Sequence, residues 1–171
     1  MPYQEACEEA SLIMVKMFWS EESLTQKLAD QEIVRMVSWE EKNGYGVDVG
    51  AQEIAEIAKD FYGLDATVYY DTEVNTEHIK KILSDGSPMI IPAAGEILAN
   101  PNYTGSGPPY HMIVLIGFND SGFISHDPGT SFGASYEYSY ETIENAIHDW
   151  TGSKSTVEEG RKAIVVLQPS E

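Results

Sequence analysis

The feature that most constrains the fold is a change of sequence pattern near residue 64. Before this point, from about residue 7 to 63, apolar side chains recur at the spacing of α-helices. From about residue 66 to 168, most apolar runs have the length of strands and are bounded by glycine, proline, asparagine and serine. Because the helices precede the strands instead of alternating with them, we expect an α+β fold, with an N-terminal helical half packed on a mostly antiparallel sheet.

Three helices are predicted in the helical half. The first has an inner face that includes Ile13, Met17 and Phe18. The predicted helices are residues 7–19, a helix that is capped by Ser23 and continues to about Lys42, and residues 51–62 with Gly63 as the C-terminal cap.

Five strands and two further helices are predicted in the second half. The strands are residues 66–70, 88–93, 110–119, 123–127 and 162–168, and the helices are residues 76–83 and 141–150. The third and fourth strands form a hairpin around a short Asp-Ser-Gly turn. The segment 95–109 is rich in glycine, proline and asparagine, and we expect a surface loop that is long enough to act as a lid or cleft wall.

The chain carries a strong and unevenly distributed negative charge. Its 28 acidic and 10 basic residues give a formal net charge of −18. A field of this sign repels phosphate groups, which argues against nucleic acid as a partner. Membrane insertion is not expected, because no apolar run reaches the roughly 20 residues of a membrane span. No Lys or Arg lies between Lys81 and Lys154, so a site in this interval should favour neutral or cationic substrates.

Cys7 is the only cysteine in the chain and stands at the predicted start of the first helix. A single cysteine excludes an internal disulfide and a cysteine-based zinc site. The thiolate is the nucleophilic form of cysteine, and both a helix N-terminus and a nearby imidazolium lower the pKa of the thiol. Glu8 and Glu9 suit the first turn of a helix but would oppose thiolate formation if they faced the sulfur. We expect both to point away from it or to be held by hydrogen bonds.

His111 is the best candidate for the base that activates Cys7. It begins the longest predicted strand, and Asp127 ends the strand that pairs with it. The start of one strand and the end of its antiparallel partner are neighbours, so Asp127 is placed to bind the far ring nitrogen of His111. His126 is the internal competitor, but it should face away from Asp127 because side chains alternate along a strand.

Other candidates for these roles are weaker in placement. His78 and His148 lie on predicted exposed helices, and the alternative orienting groups are Asp71, Asn119 and Asp149. Taken singly, a lone cysteine is commonly a buried apolar residue and an Asp-Pro-Gly segment is commonly a turn. The order of cysteine, histidine and aspartate, with this placement on the elements, favours a nucleophile, a base and an orienting group.

Three segments in this order resemble the C39-like cysteine peptidases of the papain-like superfamily. In that family a Cys-Glu-Glu-Ala/Val-Ser segment opens the first helix, a Gly/Pro-rich loop leads to a histidine on a strand, and an Asp-Pro turn follows. The resemblance covers nearly the whole chain, from residue 3 to the last strand. The segments are QEACEEASLIM (4–14), PYHMIVLIGF (109–118) and FISHDPGT (123–130).

The resemblance implies a papain-like fold over a single domain of residues 1–171 and a catalytic triad of Cys7, His111 and Asp127. It implies hydrolysis of peptide bonds through a thioester acyl-enzyme, with no metal and no other cofactor. The expected partner is a peptide or protein substrate. Members of the family are commonly exported, and this chain starts directly before the motif. Both points suggest an exported or envelope-associated protein whose leader is missing here.

One departure from the family concerns the oxyanion hole. Papain-like enzymes use a glutamine upstream of the cysteine, usually farther away than Gln4 is from Cys7. Gln4 is predicted to fill this role, with the Cys7 backbone N–H as the second donor; the alternative is a donor in sequence that precedes this chain. Tyr103 and Tyr110 are predicted to contact the substrate.

Two other functions stay open at the level of the sequence. An amidase of cell-wall peptides or a transpeptidase would use the same triad on the same scaffold. A catalytically inactive peptide-binding module would keep the cleft without the chemistry, although the presence of all three residues argues against it. A purely structural or adhesive protein is the least favoured.

Overall fold

The computed structural model describes residues 5–170, which contain six α-helices and one six-stranded sheet. The helices are α1 (Cys7–Ser20), α2 (Gln26–Asn43), α3 (Ala51–Tyr62), α4 (Thr76–Ser84), α5 (Gly95–Leu98) and α6 (Tyr140–Ala146). The strands are β1 (Leu64–Tyr70), β2 (Met89–Ala94), β3 (Tyr110–Phe118), β4 (Gly122–His126), β5 (Tyr136–Ser139) and β6 (Ala163–Pro169). Short 3₁₀ helices lie at Asp71–Glu73 and Lys154–Glu159.

The sheet has the strand order β1-β6-β2-β3-β4-β5, and every neighbouring pair is antiparallel. Its two faces bury two separate apolar layers, because side chains alternate along each strand. On β3, Met112 and Val114 face the layer formed with α1, α2 and α3, whereas Ile113 and Leu115 face the layer formed with α4 and α6. The predicted α+β fold, with a helical half packed on an antiparallel sheet, is confirmed.

The first helix begins at the predicted residue, but its buried face is wider than expected. Leu12 and Val15 are fully buried, whereas Phe18 is 51% exposed. The helix packs against both α2 and β3, and these two neighbours cover adjoining faces of α1. The N-cap of α2 is Thr25 and not Ser23, because the Thr25 side chain accepts the hydrogen bond from the Leu28 backbone N–H.

Two differences in the second half bear on the site. The sixth helix ends at Ala146 and not near Trp150, because Ile147 and His148 bind the backbone of β2 through Ala93 and Pro92. The strand β5 was not predicted, since it has only four residues between loops. It pairs with β4 and completes one edge of the sheet.

The β3–β4 hairpin positions the two residues predicted to interact across it. A bulge lies between Leu115 and Gly117, and His126 pairs with Val114. The chain therefore leaves β4 beside the first residues of β3, where the N–H of Asp127 bonds to the Gly133 carbonyl oxygen at 3.0 Å. None of the helices in residues 5–170 is long and apolar enough to cross a membrane.

We expect Gly122→Ala to destabilise the edge of the sheet that β5 forms. A Cβ atom at Gly122 would collide with the Tyr138 carbonyl oxygen, and overpacking typically costs about 1–3 kcal/mol. Urea denaturation measures the change in the free energy of unfolding. Gly117→Ala is the matched control, because its Cβ atom would meet only the Ile124 Cδ1 atom at 3.9 Å. Equal stability of the two variants would contradict the close β4–β5 pairing.

Candidate active site

A cavity of about 560 Å³ lies between the start of α1 and the start of β3. Cys7 and His111 both line it, from opposite sides of the helix–sheet boundary. Much of the remaining wall comes from the loop before β3 and the loop after β4, so the cavity opens where the helical half meets the sheet. The other lining residues are Glu5, Ala6, Ala10, Ile33, Asp48, Tyr103, Thr104, Gly107, Pro108, Pro109, Tyr110, Pro128, Gly129 and Lys154.

His111 and Asp127 form a buried pair at the back of this cavity. The distance between His111 Nε2 and Asp127 Oδ1 is 2.8 Å, and both residues are almost fully buried. The carboxylate therefore fixes the orientation of the imidazole. The Nδ1 atom makes no hydrogen bond to another described residue, so it is the ring nitrogen that can exchange a proton with a group in the cavity.

The second oxygen of Asp127 is held by three side chains that sequence analysis did not identify as partners. Asp127 Oδ2 accepts hydrogen bonds from the hydroxyls of Tyr103 at 2.6 Å and Tyr138 at 2.5 Å, and from Asn100 Nδ2 at 3.3 Å. Burial alone would raise the pKa of Asp127, but the hydrogen bond and charge of His111 and the two tyrosine hydroxyls lower it to about 2. The carboxylate is thus ionised at neutral and mildly acidic pH.

Gly129 allows the pair to approach so closely. Its backbone N–H donates to Asp127 Oδ1 at 2.8 Å. A Cβ atom at Gly129 would lie 2.9 Å from His111 Nε2 and 2.9 Å from Tyr103 Cε1. Any larger residue would push the imidazole away from its carboxylate.

Cys7 occupies the first residue of α1 and is partly exposed to the cavity. Its thiol donates a hydrogen bond to Glu8 Oε2 at 2.9 Å. Burial, together with the nearby Glu8 carboxyl, raises the pKa of the Cys7 thiol, and the backbone amide of Met112 opposes this rise. Of the two arrangements expected for Glu8, it does not point away from the sulfur but is held by a hydrogen bond, and the donor is the Cys7 thiol itself.

Glu9 turns away from the sulfur and meets Glu40 of α2. Both side chains are buried, and each has one oxygen without a hydrogen-bond partner among the described residues. Burial, with the charge and hydrogen bond of Glu9, raises the pKa of Glu40 to about 8. The two carboxyls thus lie together between α1 and α2 and favour a state in which a proton is shared.

The structure places the predicted substrate contacts in the cavity wall. Tyr103 lines the cavity, and its hydroxyl is occupied by Asp127. Tyr110 also lines the cavity, and its hydroxyl donates to the Val49 carbonyl oxygen at 2.8 Å. The loop 95–109 begins with α5 and forms a wall of the cavity. Gln4 lies outside the described residues, so its predicted role in the oxyanion hole stays a prediction.

The competing histidines do not join this cluster. His126 Nδ1 accepts a hydrogen bond from the Ser135 backbone N–H, which places its ring away from Asp127 as expected. His78 bonds to the Glu73 carbonyl oxygen and is only partly exposed. His148 follows α6 instead of lying on it and bonds to the Gly160 carbonyl oxygen.

The alternative orienting groups are used elsewhere in the fold. Asp71 pairs with Arg161 at 2.7 Å, and Asn119 binds Glu137. Asp149 Oδ1 accepts from the Ala51 backbone N–H at the start of α3. The Trp150 ring lies against the Tyr110 ring, with centroids 4.9 Å apart.

The charge of the cavity is predominantly negative. Among the described residues that line it, Lys154 is the single Lys or Arg. Its ammonium group lies 2.7 Å from Glu5 and 3.4 Å from Asp48. Because these two carboxylates already hold the cation, the site offers little attraction for an anionic substrate.

Comparison with known proteins places this geometry in context. The sequence profile of the Peptidase_C39 like family matches residues 2–158. A protein from Bacillus anthracis described as a C39-like peptidase superposes with a TM-score of 0.62 at 14% identity, over 98% of this chain and 90% of that chain. A double glycine motif protease from an AMS/PCAT transporter, solved in complex with the leader peptide, superposes with a TM-score of 0.55 at 19% identity, over 97% and 86%. No curated protein sequence matches the chain.

We expect Tyr138→Phe to destabilise the protein, because it removes a hydrogen bond from a buried carboxylate. Hydrogen bonds to charged groups contribute about 1.5–3 kcal/mol, and chemical denaturation at neutral pH measures the loss. Tyr136→Phe is the matched control on the same strand, since the structure assigns the Tyr136 hydroxyl no hydrogen bond within residues 5–170. Equal stability of the two variants would show that Tyr138 does not support Asp127.

We expect the stability of the protein to fall as the pH rises from about 4.5 to about 8, because the buried carboxyl of Glu40 keeps its proton in the folded state over this window. The folded protein then binds more protons than the unfolded chain, so the free energy of unfolding decreases with pH. Glu40→Gln should reduce the difference in this free energy between pH 5 and pH 8 by at least about 1 kcal/mol. Glu41→Gln, at an exposed neighbouring site, should leave the difference unchanged. Parallel pH profiles for the two variants would contradict the assignment.

Proposed function

The chain belongs to the Peptidase_C39 like family, and we propose that it is a cysteine peptidase in which Cys7, His111 and Asp127 hydrolyse peptide bonds. The observation that carries this proposal is the placement of His111. Its Nε2 atom is fixed by a buried, ionised carboxylate, while the residue also lines the cavity that Cys7 enters. A base, its orienting group and a nucleophile therefore meet at one cavity. We treat residues 1–171 as one peptidase domain.

The first half of the proposed reaction forms the acyl-enzyme. The thiol turns from Glu8 towards His111 and transfers its proton to Nδ1, and Asp127 stabilises the imidazolium. The thiolate attacks the carbonyl carbon of the scissile bond, and the electron pair of the C=O bond moves onto the oxygen. As the tetrahedral intermediate collapses, the C–N bond breaks and His111 donates its proton to the leaving amine. The products of this half are a free amine and a thioester on Cys7.

The start of α1 is suited to bind the oxyanion. The Cys7 backbone N–H belongs to the first turn of α1, whose N–H groups have no partner within the helix, and it donates to no other described residue. The positive end of the helix dipole lies at the same place. Gln4 is the proposed second donor.

The second half of the reaction regenerates the enzyme. His111, now neutral, accepts a proton from water as the water oxygen attacks the thioester carbonyl. The C–S bond then breaks, and the proton held by His111 returns to the sulfur. The second product is a carboxylic acid, and the thiol is restored.

The proposed substrate is a peptide segment without a cluster of acidic residues. A second cavity of about 550 Å³ adjoins the first through the shared residues Pro109 and Lys154, so an extended chain has room on one side of the scissile bond. Glu96, Glu158 and Glu159 line this second cavity. The solved complex of a structurally similar protease with a leader peptide also supports a peptide substrate.

We expect the wild-type protein to cleave members of a mixture of defined peptides, and Cys7→Ala to abolish the cleavage. His111→Ala should reduce the rate about 10²–10⁴-fold, because proton transfer by a positioned base contributes this much. Mass spectrometry of the new termini measures both effects. His78→Ala, at a partly exposed histidine that does not line the cavity, is the control.

The products separate this function from the alternatives. Peptides joined to a second peptide through the acyl group would identify a transpeptidase, and cleavage limited to cell-wall peptides would identify an amidase. Peptide binding without any product from the wild-type protein would support an inactive binding module. Cleavage that persists in Cys7→Ala would reject the proposal.

A further inference from the structure

Glu8 is a buried carboxyl group in direct contact with the proposed nucleophile. The residue is 2% exposed, and Oε2 accepts the hydrogen of the Cys7 thiol at 2.9 Å. The other oxygen, Oε1, is buried and has no hydrogen-bond partner among the described residues. Within residues 5–170, the thiol is thus the one side-chain donor that this carboxyl has.

The groups that act on Glu8 give it no positive charge to pair with. Lys154, the cation that lines the cavity, is held by Glu5 and Asp48. The ionisable groups that interact with Glu8 are Cys7 and Glu9 on α1, Glu40 on α2, Asp48 before α3 and Tyr110 on β3. All of these are acids, so each negative charge that forms here opposes the next one.

We propose that Glu8 is a positioning residue that acts through Cys7, releasing the sulfur to His111 when it is a neutral acid and retaining the thiol proton when it is a carboxylate. This inference rests on the proposed function, because it concerns the nucleophile of that reaction. It assigns to Glu8 the control of the resting state and not a step of the chemistry itself.

The position of the thiol proton depends on whether the Glu8 carboxyl is ionised or protonated. When Glu8 is ionised, the S–H bond is directed at Oε2, and a thiolate would stand beside a like charge. When Glu8 is protonated, its O–H can donate to the sulfur, so a thiolate gains a hydrogen bond instead. The thiol proton then moves to His111 Nδ1, and Glu8 keeps its own proton.

Burial sets the pH at which the two states exchange. Burial raises the pKa of Glu8 to about 8, although the thiol hydrogen bond opposes the rise. The protein is therefore in the releasing state under neutral and mildly acidic conditions. Alkaline conditions, which normally make a thiol more reactive, here favour the retaining state.

The test is the pH dependence of iodoacetamide alkylation of the native protein, because Cys7 is the only thiol. Glu8→Gln keeps the shape of the side chain, cannot ionise, and can donate from its amide to a thiolate. We expect the variant to react at the wild-type rate within about twofold at pH 6 and about tenfold faster at pH 9, since one unit of thiol pKa corresponds to a tenfold change. Glu8→Asp, which withdraws the carboxyl from the sulfur, should also react faster than the wild type at pH 9.

Glu41→Gln is the control, because it removes a carboxyl from an exposed position on α2 and is not among the groups that act on Cys7 or Glu8. Its rate relative to the wild type should be constant across the pH range. A constant ratio for Glu8→Gln as well would mean that Glu8 only fills space, and slower alkylation of Glu8→Gln at every pH would mean that Glu8 promotes ionisation; either result overturns the inference. Denaturation curves at each pH establish that the variants are folded.

The two proposals fail in different experiments. A Glu8-dependent alkylation profile in a protein that cleaves no peptide would reject the peptidase function and leave the control of Cys7 by Glu8 intact. Peptide cleavage that depends on Cys7 and His111, with an alkylation profile that ignores Glu8, would reject only the role of Glu8.

Discussion

A carboxylate that is removed from water must be surrounded by hydrogen-bond donors, and the side chain of Asp127 imposes this requirement on several parts of the chain. The donors come from the start of β3, the loop after β4, the strand β5 and the loop before β3. They are His111, Gly129, Tyr138, Asn100 and Tyr103. Because these segments are distant in sequence, the folded sheet has to exist before the anion can be satisfied. A change that destabilises this edge of the sheet should consequently also disturb the orientation of the His111 imidazole.

The same type of side chain is held in opposite states on the two sides of the cavity. Asp127 has donors on both oxygens, and its pKa is lowered to about 2. Glu8 and Glu40 are equally buried but have few donors, and the pKa of each is raised to about 8. Burial by itself would raise all three values, so the available donors and the charges of the neighbouring groups decide the direction. The sheet side of the cavity therefore carries a fixed charge, whereas the helical side exchanges protons near neutral pH.

Most of the fold could be predicted from the sequence, because it depends on local patterns. The helical repeat, the capping residues and the hairpin turn located α1, α3, α4 and the long strands to within a few residues. The same reasoning brought His111 and Asp127 together, since antiparallel pairing fixes which strand ends are neighbours. Tyr138 was missed because β5 is too short to show an alternating pattern. The direction of the Glu8 side chain could not be predicted either, because it is decided by the burial of α1 against α2 and β3.

Tyr103 serves two purposes with one side chain. Its ring forms part of the cavity wall, while its hydroxyl binds Asp127 at 2.6 Å. The residue stands on the loop between α5 and β3, and the hydroxyl cannot follow that loop outwards without leaving the carboxylate. A compound that pushes this wall outwards would therefore break the hydrogen bond between Tyr103 and Asp127. The carboxylate would then hold the His111 imidazole less firmly, and the reactivity that we propose for Cys7 would fall without any contact between the compound and the sulfur.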